Sequence, residues 1–239
     1  MIINKKVFGS NINEKTELGI NGHFLSPFGP QFLHLTLDDE IRVKLLQSVT
    51  NFRKDTSKLD SRIFIRHSDR GFESQKNSIA DGEMYIITDL DPFVNDIIER
   101  LIDLYFENYM DAREYTEKPK SGCSMAWFGV MKPGDFHMIH AHKNEVFGDL
   151  HLGDVSGAIY LDVPEDLPYP QGVITWILSG EDQKLSDSML EASPESGEVY
   201  VWPSWVKHQV YPFSGKKERI MISFNGFWQN RVLPNFREL

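Results

Sequence analysis

The segment Glu198-Val-Tyr-Val-Trp202-Pro203-Ser204-Trp205-Val-Lys-His208-Gln-Val-Tyr-Pro212, resumed after a turn by Arg219-Ile-Met-Ile-Ser-Phe-Asn225, reads as short strands punctuated by proline and glycine. Runs of β-branched and aromatic residues bounded in this way are strands, because such side chains fit a pleated, half-buried surface. Working outward, the same pattern recurs at Ser124 to Met131, Ser156 to Val163 and Val173 to Leu178, and the last strand continues to Trp228. The turns between them are Lys132 to Asp135, Pro164 to Gly172, Ser179 to Gly197 and Pro212 to Lys217. Strand follows strand with no helical pattern between, which predicts an antiparallel sandwich or jelly roll rather than a parallel α/β sheet.

Upstream of about residue 120 the character changes. Asp38 to Phe52 places Ile41, Leu45, Val49 and Phe52 at helical spacing, with Thr36 or Asp38 available as N-cap. Asp91-Pro92 is a cap followed by proline at the first helical position, and Phe93, Ile97, Leu101, Leu104 and Tyr105 then make one apolar face to about Met110. Between the helices only Ile63-Phe64-Ile65 and Met84-Tyr85-Ile86-Ile87 look like strands, and residues 1–22 are expected to be irregular. The expectation is one domain over 1–239, mostly β with flanking helices. Within it, 1–120 is an α+β elaboration and 121–239 a jelly-roll core.

Composition narrows the function classes. The net charge of −10, from 25 basic and 35 acidic side chains, repels phosphate backbones, so nucleic acid is not an expected partner. The single cysteine, Cys123, excludes an internal disulfide and fits a reducing compartment. No apolar run reaches the roughly 18 residues of a membrane helix, and Met1-Ile-Ile-Asn-Lys-Lys lacks the features of a signal peptide. A soluble, cytoplasmic protein with no membrane partner is the expectation.

The chemistry concentrates in histidines. In His137-Met-Ile-His140-Ala-His142, strand alternation puts His140 and His142 on one face and His137 on the other. Two imidazoles on one face can grip one ion. His208 begins a strand after the Pro203-Ser204 turn, and Arg219 follows eleven residues later. Read singly, His208 is a loop histidine and Arg219 a surface ion-pair partner. As an ordered set they are much harder to attribute to accident.

In order and spacing the set resembles the double-stranded β-helix (cupin-like) of Fe(II)/2-oxoglutarate-dependent oxygenases. More closely, it is similar to a family of such oxygenases from marine bacteria and phages. The residues that carry the resemblance are Trp127-Phe128, His140-Ala141-His142, Ser156-Gly157-Ala158-Ile159-Tyr160 with Pro164, Pro203 to Pro212, and Arg219 to Asn225. The match covers about half the chain, roughly residues 124–228. It implies Fe(II) held by His140 and His208, with His142 where most of the wider superfamily has an acid. Glu145, or more remotely Asp149 or Asp154, is the alternative third ligand.

The resemblance further implies 2-oxoglutarate as cosubstrate, its far carboxylate paired with Arg219, and ascorbate as an auxiliary reductant. A planar guanidinium fork matches a carboxylate with two charge-assisted hydrogen bonds. Many relatives carry a hydroxyl residue two positions after the arginine. Here that position is Met221, which leaves Tyr160 or Ser223 to supply the hydroxyl. The implied activity is decarboxylation of 2-oxoglutarate to succinate with hydroxylation of a peptide side chain or small metabolite, and a homodimer is a further partner expectation. Glu145 to Asp154 and Ser179 to Gly197 are the candidate lid segments, and Trp127, Phe147, Tyr169, Trp176, Trp202 and Trp205 the aromatic candidates for a pocket or for the core. Two other readings stay open: a cupin-type three-histidine enzyme that makes no use of 2-oxoglutarate, and a non-catalytic β-sandwich.

Overall fold

The computed structural model describes residues 11–12, 21–25, 30–54, 83–86, 91–111, 121–142, 146–147, 150–151, 153–178 and 188–228. In chain order the elements are β1 (Asn11–Ile12), β2 (Asn21–Leu25), β3 (Phe32–Thr36), α1 (Asp39–Lys54), β4 (Glu83–Ile86) and α2 (Pro92–Asp111). Next come β5 (Ser121–Met131), β6 (His137–His140), β7 (Val146–Phe147), β8 (Leu150–His151), β9 (Val155–Asp162) and β10 (Ile174–Ile177). The last are β11 (Met189–Ala192), β12 (Glu198–Pro203), β13 (Lys207–Val210) and β14 (Arg219–Trp228). The large sheet has the order β1-β2-β3-β12-β9-β14-β5-β4, and the small one β11-β10-β13-β6. Tyr160, Tyr200 and Met221 of the large sheet share one buried cluster with Ile174, Trp176 and Val210 of the small one, so the two sheets pack face to face. The jelly-roll expectation is met as a double-stranded β-helix.

β14 shows how the sequence builds the layers. Alternate side chains point to opposite faces of a strand. Ile222 and Phe224, both fully buried, join the core between the large sheet and the helices, with Leu33, Leu35, Ile159, Leu161, Val199 and Val201. α1 supplies Leu45 and Val49 to that core, and α2 supplies Ile97, Ile98, Leu101 and Ile102. The odd-numbered Met221 faces the other way, into the space between the sheets, among Phe32, Tyr160, Trp176, Tyr200 and Trp202. One strand therefore serves a purely apolar core and a mixed interior.

Both helices begin where their caps place them. The Asp91 carboxylate accepts the Phe93 backbone N–H at 2.9 Å, and α1 opens on Asp39-Glu40 and closes on Arg53-Lys54, as the helix dipole favours. Two expectations need correction. Asn11–Ile12 and Asn21–Leu25 are strands although residues 1–22 were expected to be irregular, because β3 offers β2 a complete antiparallel register. β3, with Leu33 and Leu35 buried, His34 half-buried and Thr36 exposed, is a further strand not read from the sequence. The Ser179 to Gly197 turn contains β11, whose Leu190 is paired across from Trp176. Ile63-Phe64-Ile65 lies outside the described residues. No helix among the described residues is long and apolar enough to cross a membrane.

Candidate metal and organic-acid site

Each histidine of the candidate set arrives by a different route. His208 sits on β13 directly across from Trp176 of β10 and His140 of β6, so strand pairing alone brings His140 and His208 together. Their ring centroids are 4.2 Å apart. β6 ends at His140, so His142 does not share a strand face with it as expected. The chain instead bends, and the His142 backbone N–H donates to the Ser204 carbonyl at 2.9 Å. Ser204 is in turn tied down, its N–H to the Asp154 carbonyl at 3.0 Å and its hydroxyl to the Gly153 carbonyl at 2.8 Å. Gly153 has φ of 115°, and a Cβ there would stand 2.6 Å from the Gly226 carbonyl oxygen, so only glycine lets this loop approach β14.

The result is convergence. One ligand atom from each of His140, His142 and His208 lies within 4.8 Å of the others. His137 is outside this group, with its ring 6.1 Å from that of His140.

The tautomers follow from the partners. Nδ1 of His140 is 2.7 Å from the Met138 carbonyl, and Nδ1 of His208 is 3.1 Å from the Val206 carbonyl. A carbonyl only accepts, so each Nδ1 carries the proton and the lone pair resides on Nε2. For His142 the acceptor is the Asn225 side-chain oxygen at 2.8 Å. Burial holds His142 below the ordinary histidine range. It holds His208 well below, and charge on His140 and His142 adds to the effect. Three neutral imidazoles turned this way form a nitrogen donor set suited to a divalent transition metal.

Arg219 lies in the same interior and is 1% exposed, so it is not a surface ion-pair partner. Nη2 donates to the Gly172 carbonyl at 2.8 Å, while Nε and Nη1 are buried and meet no hydrogen-bond partner among the described residues. Gly172, at φ of 68°, keeps this side open: a Cβ there would lie 3.0 Å from Leu167 and 3.6 Å from Nη2. The guanidinium carbon stands 5.0 Å from the centre of the Tyr160 ring. Burial pushes the Tyr160 hydroxyl up to about 12, against the pull of Arg219, so it stays protonated at neutral pH. Ser223, the other hydroxyl candidate, is half-buried and paired across from Trp127 and Ala158. Buried N–H donors are nearly always satisfied. A guanidinium with two open donors is a seat for a carboxylate.

The remaining candidates separate. Glu145 and Asp149 lie outside the described residues, as does much of the Glu145 to Asp154 segment. The Asp154 carboxylate accepts the Trp228 backbone N–H at 3.0 Å and is not part of the triad's group. Trp176 and Trp202 are buried in the interior, Trp127 is half-buried with its ring 5.5 Å from His142, and Tyr169 and Trp205 are exposed. Sequence reasoning missed Ser156 and Asn225 as site residues. The parity that Asn225 shares with Arg219 on β14 marks it as facing the interior, but does not give its partner.

Residues 125–225 match the family model described as "Putative 2OG-Fe(II) oxygenase". No curated protein matches the sequence. Among solved structures, a prolyl-4-hydroxylase from Pseudomonas putida is 17% identical with a TM-score of 0.51, covering 82% of this chain and 90% of its own. A prolyl hydroxylase from Trichoplax adhaerens, solved with a hypoxia inducible factor peptide fragment, is 14% identical with a TM-score of 0.51, covering 82% of each chain. The alpha ketoglutarate dependent carbocyclase SnoK of nogalamycin biosynthesis is 10% identical with a TM-score of 0.52, covering 81% of this chain and 78% of that one. At such identities these likenesses show the fold. The family's cofactors, Fe(II) and 2-oxoglutarate, fit the two halves of the interior: a nitrogen donor set and a buried guanidinium.

Proposed function

We propose, for a chain whose residues 125–225 match the 2OG-Fe(II) oxygenase family model, that it decarboxylates 2-oxoglutarate to succinate and hydroxylates a peptide side chain or small metabolite. His140, His142 and His208 hold Fe(II) through Nε2, and Arg219 takes the far carboxylate of 2-oxoglutarate. The observation that carries this reading is the placement of three converging imidazoles and a partner-seeking guanidinium inside one interior. A convergent triad alone also suits a cupin-type enzyme. The buried arginine has no role there.

When bound, Fe(II) with 2-oxoglutarate supplies the activation of dioxygen, and the chain's own residues bind, orient and shelter. Nε and Nη1 of Arg219 donate to the cosubstrate carboxylate, and the Gly172 carbonyl fixes the fork by holding Nη2. Tyr160 supports the guanidinium from its ring face. Phe32, Trp176, Tyr200 and Trp202 close the interior to bulk water, which strengthens that charge pairing. Trp127 against His142, with exposed Met138 and Trp205 on the neighbouring segments, forms the apolar approach for the substrate.

The test is succinate formation from 2-oxoglutarate with Fe(II), dioxygen and ascorbate, coupled or uncoupled. Turnover in the wild type and none in His208→Ala is expected. A wild type that retains metal yet forms no succinate would favour the cupin-type reading.

A further inference from the structure

His140 and His208 are each oriented locally, through the carbonyl two residues earlier. His142 has no such support, because β6 has ended. What holds it comes from the opposite sheet. Its Nδ1–H donates to Asn225 Oδ1 at 2.8 Å, and the Ser156 hydroxyl donates to the same oxygen at 2.9 Å. Ser156 Oγ also lies 3.1 Å from His142 Nδ1, closing a triangle. Ser156 and Asn225 are register partners on β9 and β14, 0% and 4% exposed, so neither has water to turn toward.

We propose that Asn225 and Ser156 are positioning residues that make His142 the third metal ligand, in a place where a carboxylate would need no such help. This rests on the triad reading above. A carboxylate ligand offers two equivalent oxygens and needs no tautomer. An imidazole must keep its proton on Nδ1 and aim Nε2 at the ion, or it contributes nothing. The Asn225 oxygen accepts and does not donate, which sets the tautomer. Ser156 pins that oxygen, which stops the amide from turning its NH2 toward the ring. The Trp127 ring, 5.5 Å from His142, limits its swing. Because the clamp is an amide and not an acid, it orients His142 without adding negative charge, and the ion keeps its full attraction for a dianionic cosubstrate.

The experiment is Co(II) titration of the metal-free protein, followed by calorimetry and by the cobalt absorption spectrum. Wild type, Asn225→Ala, Asn225→Asp and Ser156→Ala are compared, with thermal melting to establish folding. Loss of such an outer partner costs about 10–100-fold in metal affinity. That loss is expected for Asn225→Ala with an altered cobalt spectrum, a smaller loss for Ser156→Ala, and recovery for Asn225→Asp, whose oxygen also accepts from Nδ1–H. A folded Asn225→Ala protein with wild-type affinity and spectrum overturns the clamp while leaving the triad standing. A wild type that binds no Co(II) overturns the triad itself. Should Asn225→Ala not fold, long-range proton–nitrogen NMR of the metal-free wild type decides: a proton on Nδ1 of His142 supports the clamp, and a proton on Nε2 contradicts it.

Discussion

The two faces of the large sheet differ in what they ask of a side chain. On the helix side Ile222, Phe224, Ile159 and Val201 are fully buried among other apolar groups. On the inner side, the same strands present Ser156, Tyr160, Arg219 and Asn225, all buried and all polar. The outer face stabilises the fold by removing apolar surface from water. The inner face carries groups whose burial costs free energy unless a partner meets them. A strand with period two can do both at once, so stability and chemistry can be perturbed separately by moving one residue along β14.

Substitutions can break that separation or sharpen it. The largest expected effect is at His208, where His208→Ala should reduce succinate formation to background and abolish stoichiometric metal binding, read by metal analysis of the folded protein. On the other face, Phe224→Ala should destabilise by about 3–5 kcal/mol in denaturant unfolding, while the molecules that remain folded still bind metal. Arg219→Leu should do the reverse. Two charge-assisted hydrogen bonds at about 1.5 kcal/mol each correspond to roughly a hundredfold weaker 2-oxoglutarate binding, with metal affinity retained. The unfolding free energy of the cofactor-free protein should hold or rise, since two unsatisfied buried donors are removed. Gly157→Ala would place a Cβ 2.2 Å from the buried Phe224 ring. Overpacking of this kind costs about 1–3 kcal/mol, and a lowered melting midpoint is the readout.

The smallest effect is with pH and belongs to the inner face alone. His142 and His208 have folded-state values below the 6.5 of an unfolded chain. Below pH 6.5 the unfolded state therefore binds more protons, and stability falls as pH drops. The metal-free protein should lose unfolding free energy on acidification from neutrality. The His208→Ala variant should lose less of it.

Most of this division was legible in the sequence, because strand alternation and turn residues are local signals. The alternation in Arg219 to Asn225 and the turn at Pro203-Ser204 both read correctly, and so did the caps of α1 and α2. What escaped depends on contacts distant along the chain. β3 is ordered by its register partner β12, far along the chain. β11 is ordered by Trp176 and its neighbours on β10, far from its own signals. His142 joins the triad by a bend and a bond to Ser204, where parity alone suggested a straight strand. Its Asn225 partner is 83 residues away in sequence, a distance no local pattern spans.

The central claim is that an ion on three imidazoles and an organic acid on Arg219 share one interior. Anaerobic titration of the Fe(II)-loaded protein with 2-oxoglutarate, followed by visible absorption, tests it most directly. A charge-transfer band that saturates at one equivalent, and shifts to much higher concentration in Arg219→Leu, is the predicted result. A protein that holds Fe(II) but shows no band at any 2-oxoglutarate concentration would contradict it.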